Sequence, residues 1–274
     1  MPRRSVLAVA LVATFALASC GDDDGGGGDG SGDTAEQAAS TTTAPAPLQI
    51  LVTNDDGVAG EGMDLLVQEL DDIPDVEVTV VAPAENQSGT GDRTTEGEIQ
   101  YDDAELASGT PATAVDGFPA DSVNVAIQEL ALEPDLVVAG VNEGQNEGVL
   151  ASVSGTVGAA ATAARQGIPA VAVSQGLADP LDYASGVEAA VTWITEHLDE
   201  YESGEADPLV NINVPTCATG ELRGTVEVPA ATESTGTELD PVDCTSTLED
   251  PANDTEAFSN GFVAVSVLDP ETLQ

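Results

Sequence analysis

From Leu48 onward, continuous apolar runs alternate with stretches of helical periodicity. Leu48-Gln49-Ile50-Leu51-Val52-Thr53 is apolar or β-branched at every position but Gln49, which predicts a strand covered on both faces of a sheet. It stops in Asn54-Asp55-Asp56-Gly57, good turn chemistry. Met63, Leu65, Leu66, Val67 and Leu70 then recur among polar residues at helical spacing. Strands are predicted over 76–83 and 110–115, and a helix over 121–130 from Val123, Val125, Ala126 and Leu130. A buried strand over 135–139 exits at Gly140 into a segment carrying Asn142, Gly144, Asn146 and Gly148. Ser154-Gly155-Thr156 opens an alanine-rich helix ending near Gln166, and further strands are expected over 168–173, 209–214 and 262–268, with a long helix over 183–198. Such alternation implies an α/β domain built on a largely parallel, doubly wound sheet.

The front of the chain follows another pattern. Arg3 and Arg4 precede an apolar run over 6–17 that is short for a membrane span and ends in small residues and a cysteine, the layout of an export signal. Leu17-Ala18-Ser19-Cys20 resembles a bacterial lipoprotein signal, which makes Cys20 the lipidated first residue of the mature chain; an ordinary secretory signal cut nearby is the other reading. Residues 21–47 hold Gly, Asp, Ser, Thr, Ala and Pro with almost nothing to bury, and are expected to form a disordered tether. The organisation is thus a signal over 1–20, a tether over 21–47 and a folded domain over 48–270, held on the extracytoplasmic face of the cell membrane by its lipid. In an exported chain Cys217 and Cys244 most simply form a disulfide, two buried free thiols being the alternative.

Fifty acids stand against five arginines and no lysine, for a net charge of -45. Binding to a nucleic-acid polymer needs the opposite balance, as does attachment to anionic lipid through a basic patch. The excess fits a salty or acidic habitat, or simply a solvated, self-repelling surface.

Three polar exits follow strands: Asn54, Asp55 and Asp56 after the first, Asn86 and Ser88 after the second, Asn142 and Asn146 after residue 139. In a parallel sheet all three lie at one edge. Two carboxylates, a hydroxyl and amide oxygens suit a hard divalent ion, Mg²⁺ or Mn²⁺. The single histidine, His197, stands among Glu196, Asp199 and Glu200 as a solvated surface residue, and a zinc site of the His/Cys kind has no support. Ser154-Gly155-Thr156 reads as a helix N-cap or as an anion site, with Arg93 and Arg165 as cations able to assist.

These segments together resemble the SurE family. The resemblance is carried by Ile50 through Gly57, Ala82-Pro83 with Asn86-Gln87-Ser88-Gly89, Gly117 through Val123, and Gly140-Val141-Asn142 with Gly144 and Asn146. Ser154-Gly155-Thr156-Val157, Gly167-Ile168-Pro169-Ala170 and Asn211 through Pro215 continue it in order. It implies a Rossmann-like three-layer sandwich and a metal-dependent 5′/3′-nucleotidase or acid phosphatase. Asp55, Asp56, Ser88 and Asn142 would hold the metal, with Asp55 or Asp56 handling the proton of a water. Asn54, Gly89, Asn146, Ser154, Gly155 and Thr156 would line the phosphate site for a nucleoside monophosphate. A metal- or phosphate-binding lipoprotein of weak catalytic power is the alternative on the same fold.

Some positions depart from the family pattern. Glu61 adds a carboxylate near the site where a proline or small residue is usual, and Phe118 and Ser122 replace a usual Thr and Cys. The region after Pro215 is short and acidic, which bears on the homodimer that the family builds by exchanging a hairpin there.

Overall fold

Ile50 and Val52 face one side of a sheet and Leu51 the other, and all three are buried. This is why the first strand reads as an unbroken apolar run. The computed structural model describes residues 46–179, 181–236 and 238–273; the expected signal, Cys20 and the tether up to residue 45 lie outside them.

The chain runs β1 (Leu48–Thr53), α1 (Glu61–Asp71), β2 (Val76–Pro83), β3 (Tyr101–Glu105), β4 (Pro111–Val115) and α2 (Pro119–Asn124), which continues as a π-helical turn over Val125–Glu129. Then come β5 (Leu136–Glu143), a 3-10 turn over Gly148–Val153, α3 (Gly155–Arg165), β6 (Ala170–Gln175), α4 (Tyr183–Glu196), α5 (Leu198–Ser203) and β7 (Leu209–Val214). β8 (Thr225–Glu227), α6 (Asp254–Ser259) and β9 (Val263–Val267) complete the main elements. The strand order is β3-β4-β2-β1-β5-β6-β7-β9-β8. Only β3–β4 and β7–β9 pair antiparallel, so the expected mostly parallel α/β sheet is what the chain forms.

Met63, Leu66, Val67 and Leu70 of α1 pack with Val187, Ala190 and Ile194 of α4 over one face. Val123 of α2 and Val157, Ala159, Ala160 and Ala163 of α3 cover the other. These make the three layers. Leu65, an expected core position, is instead exposed.

β1 lies between β2 and β5. The winding of the sheet reverses there, and open α/β folds keep their ligand crevice outside such a point. β5 does not end at residue 139 as the glycine suggested. A register shift between Ala139 and Asn142 lets it continue to Glu143, because Gly140 takes φ 134° and a side chain there would meet Val173 O at 2.3 Å. Asn142 is therefore carried by the strand itself.

Candidate active site

The ends of β1, β2 and β5 and the start of α3 meet at this crevice. A cavity of about 230 Å³ opens there, and Asp55, Ser88, Gly89, Asn142, Asn146 and Ser154 all line it. Asp56 stands beside it. Asn54 does not reach it: its Nδ2 donates to Gly57 O at 3.1 Å and its Oδ1 accepts from Gly57 N at 3.0 Å. That fully buried side chain closes the turn presenting the two acids.

Asp55 is buried, and its Oδ1 accepts from Thr156 Oγ1 at 2.6 Å. A Cβ on Gly155 would lie 2.9 Å from Asp55 Oδ2, so a glycine there is what lets α3 begin against this carboxylate. Burial raises the Asp55 pKa above its ordinary value, and the Thr156 hydroxyl and the backbone donors of Thr156 and Gly155 oppose the rise. Gly155 and Thr156 thus serve Asp55 first. They are not among the residues lining the cavity, to which the helix end presents Ser154, whose Oγ also caps α3 by accepting from Val157 N at 3.2 Å.

Asp56 accepts from Asn86 Nδ2 at 3.1 Å and from the Glu143 backbone N–H at 3.3 Å. Burial, then the charge of Asp55 and that of Glu143, push it up to about 6. Asn86 Oδ1 also accepts from Ser88 N at 3.0 Å, so one amide sets both Asp56 and Ser88. Asn142 donates through Nδ2 to Gly144 O at 2.6 Å, which leaves its Oδ1 as the side chain's acceptor. Asn146 is braced on three sides: N to Asn213 Oδ1 at 2.6 Å, Nδ2 to Ser174 Oγ at 2.8 Å, and O from Asn211 Nδ2 at 2.9 Å.

Among the described residues no arginine lines the cavity. Arg165 pairs with Asp92 at 2.9 Å and bonds Pro270 O at 3.0 Å, and Arg93 lies 4.7 Å over the Phe118 ring. Glu61 is exposed at the start of α1, and its charge acts on Tyr183 alongside those of Asp56 and Glu143. His197 stacks on Trp193 with ring centroids 3.9 Å apart, half-buried and not fully solvated. Cys217 and Cys244 are bridged, their Cα atoms 5.7 Å apart.

Two neighbouring buried or half-buried acids with no basic partner among the described residues, one amide oxygen and one hydroxyl make a set of hard oxygens whose chemistry would suit a divalent cation. Among the described residues no three His, Cys, Asp or Glu side chains form a metal cluster; at this site two acids are completed by neutral oxygens instead. Magnesium or manganese fits that chemistry.

The model of the family described as "Survival protein SurE" matches residues 50–237. The chain belongs to the SurE family. It is 41% identical over 186 residues to the "5'-nucleotidase SurE" of Halobacterium salinarum, covering 64% of this chain and 69% of that protein. It is 36% identical over 190 residues to a protein of the same name from Cereibacter sphaeroides, covering 65% and 71%. The SurE crystal structure from Aquifex aeolicus aligns with a TM-score of 0.66 at 25% identity, over 82% of this chain and 94% of that one.

Several residues that shape this SurE site escape a reading by strand exits alone. Asn211 and Asn213 sit two apart in a fully buried strand, and polar residues spaced that way on one face were the available signal. Glu143 and Gln145 lie in the glycine-rich segment already singled out. Leu177 and Leu239, which also line the cavity, come from distant loops and carry no local signature.

Proposed function

We propose that this chain is a metal-dependent phosphomonoesterase that hydrolyses nucleoside 5′- or 3′-monophosphates to nucleoside and phosphate. The observation that carries this reading is the meeting of Asp55, Ser88, Asn142 and Ser154 from three strand ends and one helix start around a single cavity. The names of the curated relatives support the nucleotide as substrate.

In this reading Asp55, Asp56, Ser88 and Asn142 hold a divalent ion such as Mg²⁺ or Mn²⁺. Bound there, the ion would supply Lewis-acid polarisation of phosphoryl oxygens and a more acidic water. Ser154, Asn146 and the backbone at Gly89 hold the phosphoryl oxygens that do not react, favouring the charge that develops in the transition state. Asp56, the more accessible of the two acids, orients the attacking water and takes its proton. Asp55, locked by Thr156, fixes the geometry.

The protein is also proposed to be exported and anchored by lipid at Cys20; a Cys20→Ala chain should leave the membrane fraction. The reaction is tested by incubating purified protein with AMP and Mg²⁺ or Mn²⁺ and measuring phosphate release. Release at an equal rate by Asp56→Asn would remove the acid pair from the mechanism, and AMP binding without release would identify a binding protein on this fold.

A further inference from the structure

Helix α4 packs over β6 and β7 and stops short of the sheet edge formed by β9 and β8. Val263 and Val265 of β9 belong to the core on the α4 side and Ala264 to the cluster under α6, as strand alternation requires. What remains between α4 and β8 is a groove of about 760 Å³, floored by Ile212, Val263 and Val265. It shares no lining residue with the candidate active site. One wall carries the single tryptophan and the single histidine of the chain. Trp193 and His197 stand one helical turn apart and stack with ring centroids 3.9 Å apart at 22°. His197 Nδ1 is held 2.7 Å from Trp193 O, so the two rings form one ordered aromatic surface. Glu188 and Glu196 of α4, and Glu227 of β8 on the other wall, are exposed carboxylates on the same lining. Among the described residues the one ion pair is Arg165–Asp92, so none of these glutamates has a cationic partner. Arg223, near the groove in sequence, is not on its lining; its guanidinium sits 4.2 Å over the Phe262 ring and donates to Asn260 O at 3.0 Å.

The geometry points to a second ligand site in this groove, built for a small organic cation with an apolar body, an aryl- or alkylammonium. Its volume lies in the range of small-molecule sites. An ammonium held against the indole of Trp193 is attracted by the ring's π-electrons, and glutamates from both walls add Coulombic attraction. The apolar body rests on Ile212, Val263 and Val265 and leaves water. A bare metal ion fits less well, since no three acids among the described residues converge as a metal cluster. Phosphate is repelled by the same acids, which separates this groove from the substrate of the reaction proposed above. The inference does not depend on that reaction.

The test uses the full-length protein at low salt with benzyltrimethylammonium as the probe. Trp193 is the only tryptophan, so tryptophan emission reports on this groove. A saturable change with Kd in the millimolar range or tighter is expected, and neutral benzyl alcohol and anionic phenylacetate should bind at least about tenfold more weakly. Glu188→Gln/Glu227→Gln should raise Kd about fivefold. Asp102→Asn/Asp103→Asn removes the same charge from the opposite edge of the sheet and should leave Kd unchanged. All four side chains are exposed, and an unaltered Tm would certify the fold. Absence of a saturable change, equal binding of the three probes, or equal weakening by both double variants overturns the site. Dimers that shield Trp193 before any probe is added would make a second copy the occupant, and overturn it equally.

Discussion

Thr156 Oγ1 lies 2.6 Å from Asp55 Oδ1, so the first turn of α3 sets the carboxylate at the end of β1. Both groups are buried, and the bond is the largest influence opposing the rise that burial imposes on Asp55. Thr156→Val keeps the shape and removes the donor. Metal affinity and kcat on AMP are expected to fall about 10–100-fold, the usual cost of losing a partner that orients a ligand, whereas Thr156→Ser keeps most of both. Manganese titration alongside initial rates checks this, and a Val variant equal to the parent would show that Asp55 needs no such support.

Asp56 sets the acid limit. With burial and Asp55 holding it up at about 6, it takes a proton as the pH falls through that value, and protons compete with a cation for the carboxylate. Apparent Mn²⁺ affinity should therefore weaken below about pH 6, approaching about tenfold per unit for a single competing proton. Saturating metal should move the acid limb of the rate profile to lower pH. Affinity indifferent to pH across that range would mean Asp56 is not a ligand.

The frame of this protein was legible because its physics is local. β1 and β6 are buried on both faces and announce themselves as apolar runs, and Ser154 before an alanine-rich helix is a plain cap. The acids and Asn142 were legible too, because the winding of a parallel sheet brings strand exits to one edge. What stayed hidden depends on tertiary contacts. β3, with the sequence Tyr-Asp-Asp-Ala-Glu, is mostly exposed at the sheet edge and has no apolar run to reveal it. The contacts of Asn54 and Thr156, one closing a turn and one bonding an acid 101 residues away, cannot be read from residue type, since they depend on what the fold brings beside each side chain.

The Cys217–Cys244 bridge closes a loop with a sequence separation of 27, and the surrounding chain is fitted to it. A Cβ at Gly261 would lie 2.7 Å from Cys244 Cα. Replacing both cysteines by alanine is expected to lower stability by about 3–4 kcal/mol and Tm by about 10 °C. None of Asp55, Asp56, Ser88 or Asn142 lies in that loop, while Leu239 does. So kcat should persist in the folded fraction as KM for AMP rises. Thermal melts with and without reductant, paired with kinetics, separate the two effects; loss of kcat in folded protein would contradict the assignment.

Glu147 follows Asn146 directly, is fully buried, and has no hydrogen-bond partner among the described residues at either carboxylate oxygen. Burial, and after it the charges of Asp254 and Glu238, push its pKa from 4.5 up to about 8. The folded chain therefore keeps this proton at neutral pH, while the unfolded chain gives it up near the ordinary glutamate value. Between those two values the unfolded state binds fewer protons, so stability falls as pH rises, by up to about 1.4 kcal/mol per unit. Below the lower value both states are protonated and above the upper one both are ionised, so the loss is confined to this window. Glu147→Gln removes the titration, and any offset from its own unpaired amide is independent of pH. The difference in Tm between the variant and the parent should thus grow in the variant's favour from about pH 4.5 to about pH 8 and then level off. A difference that stays flat across the window would show that the buried carboxyl finds a partner and is not the group that titrates.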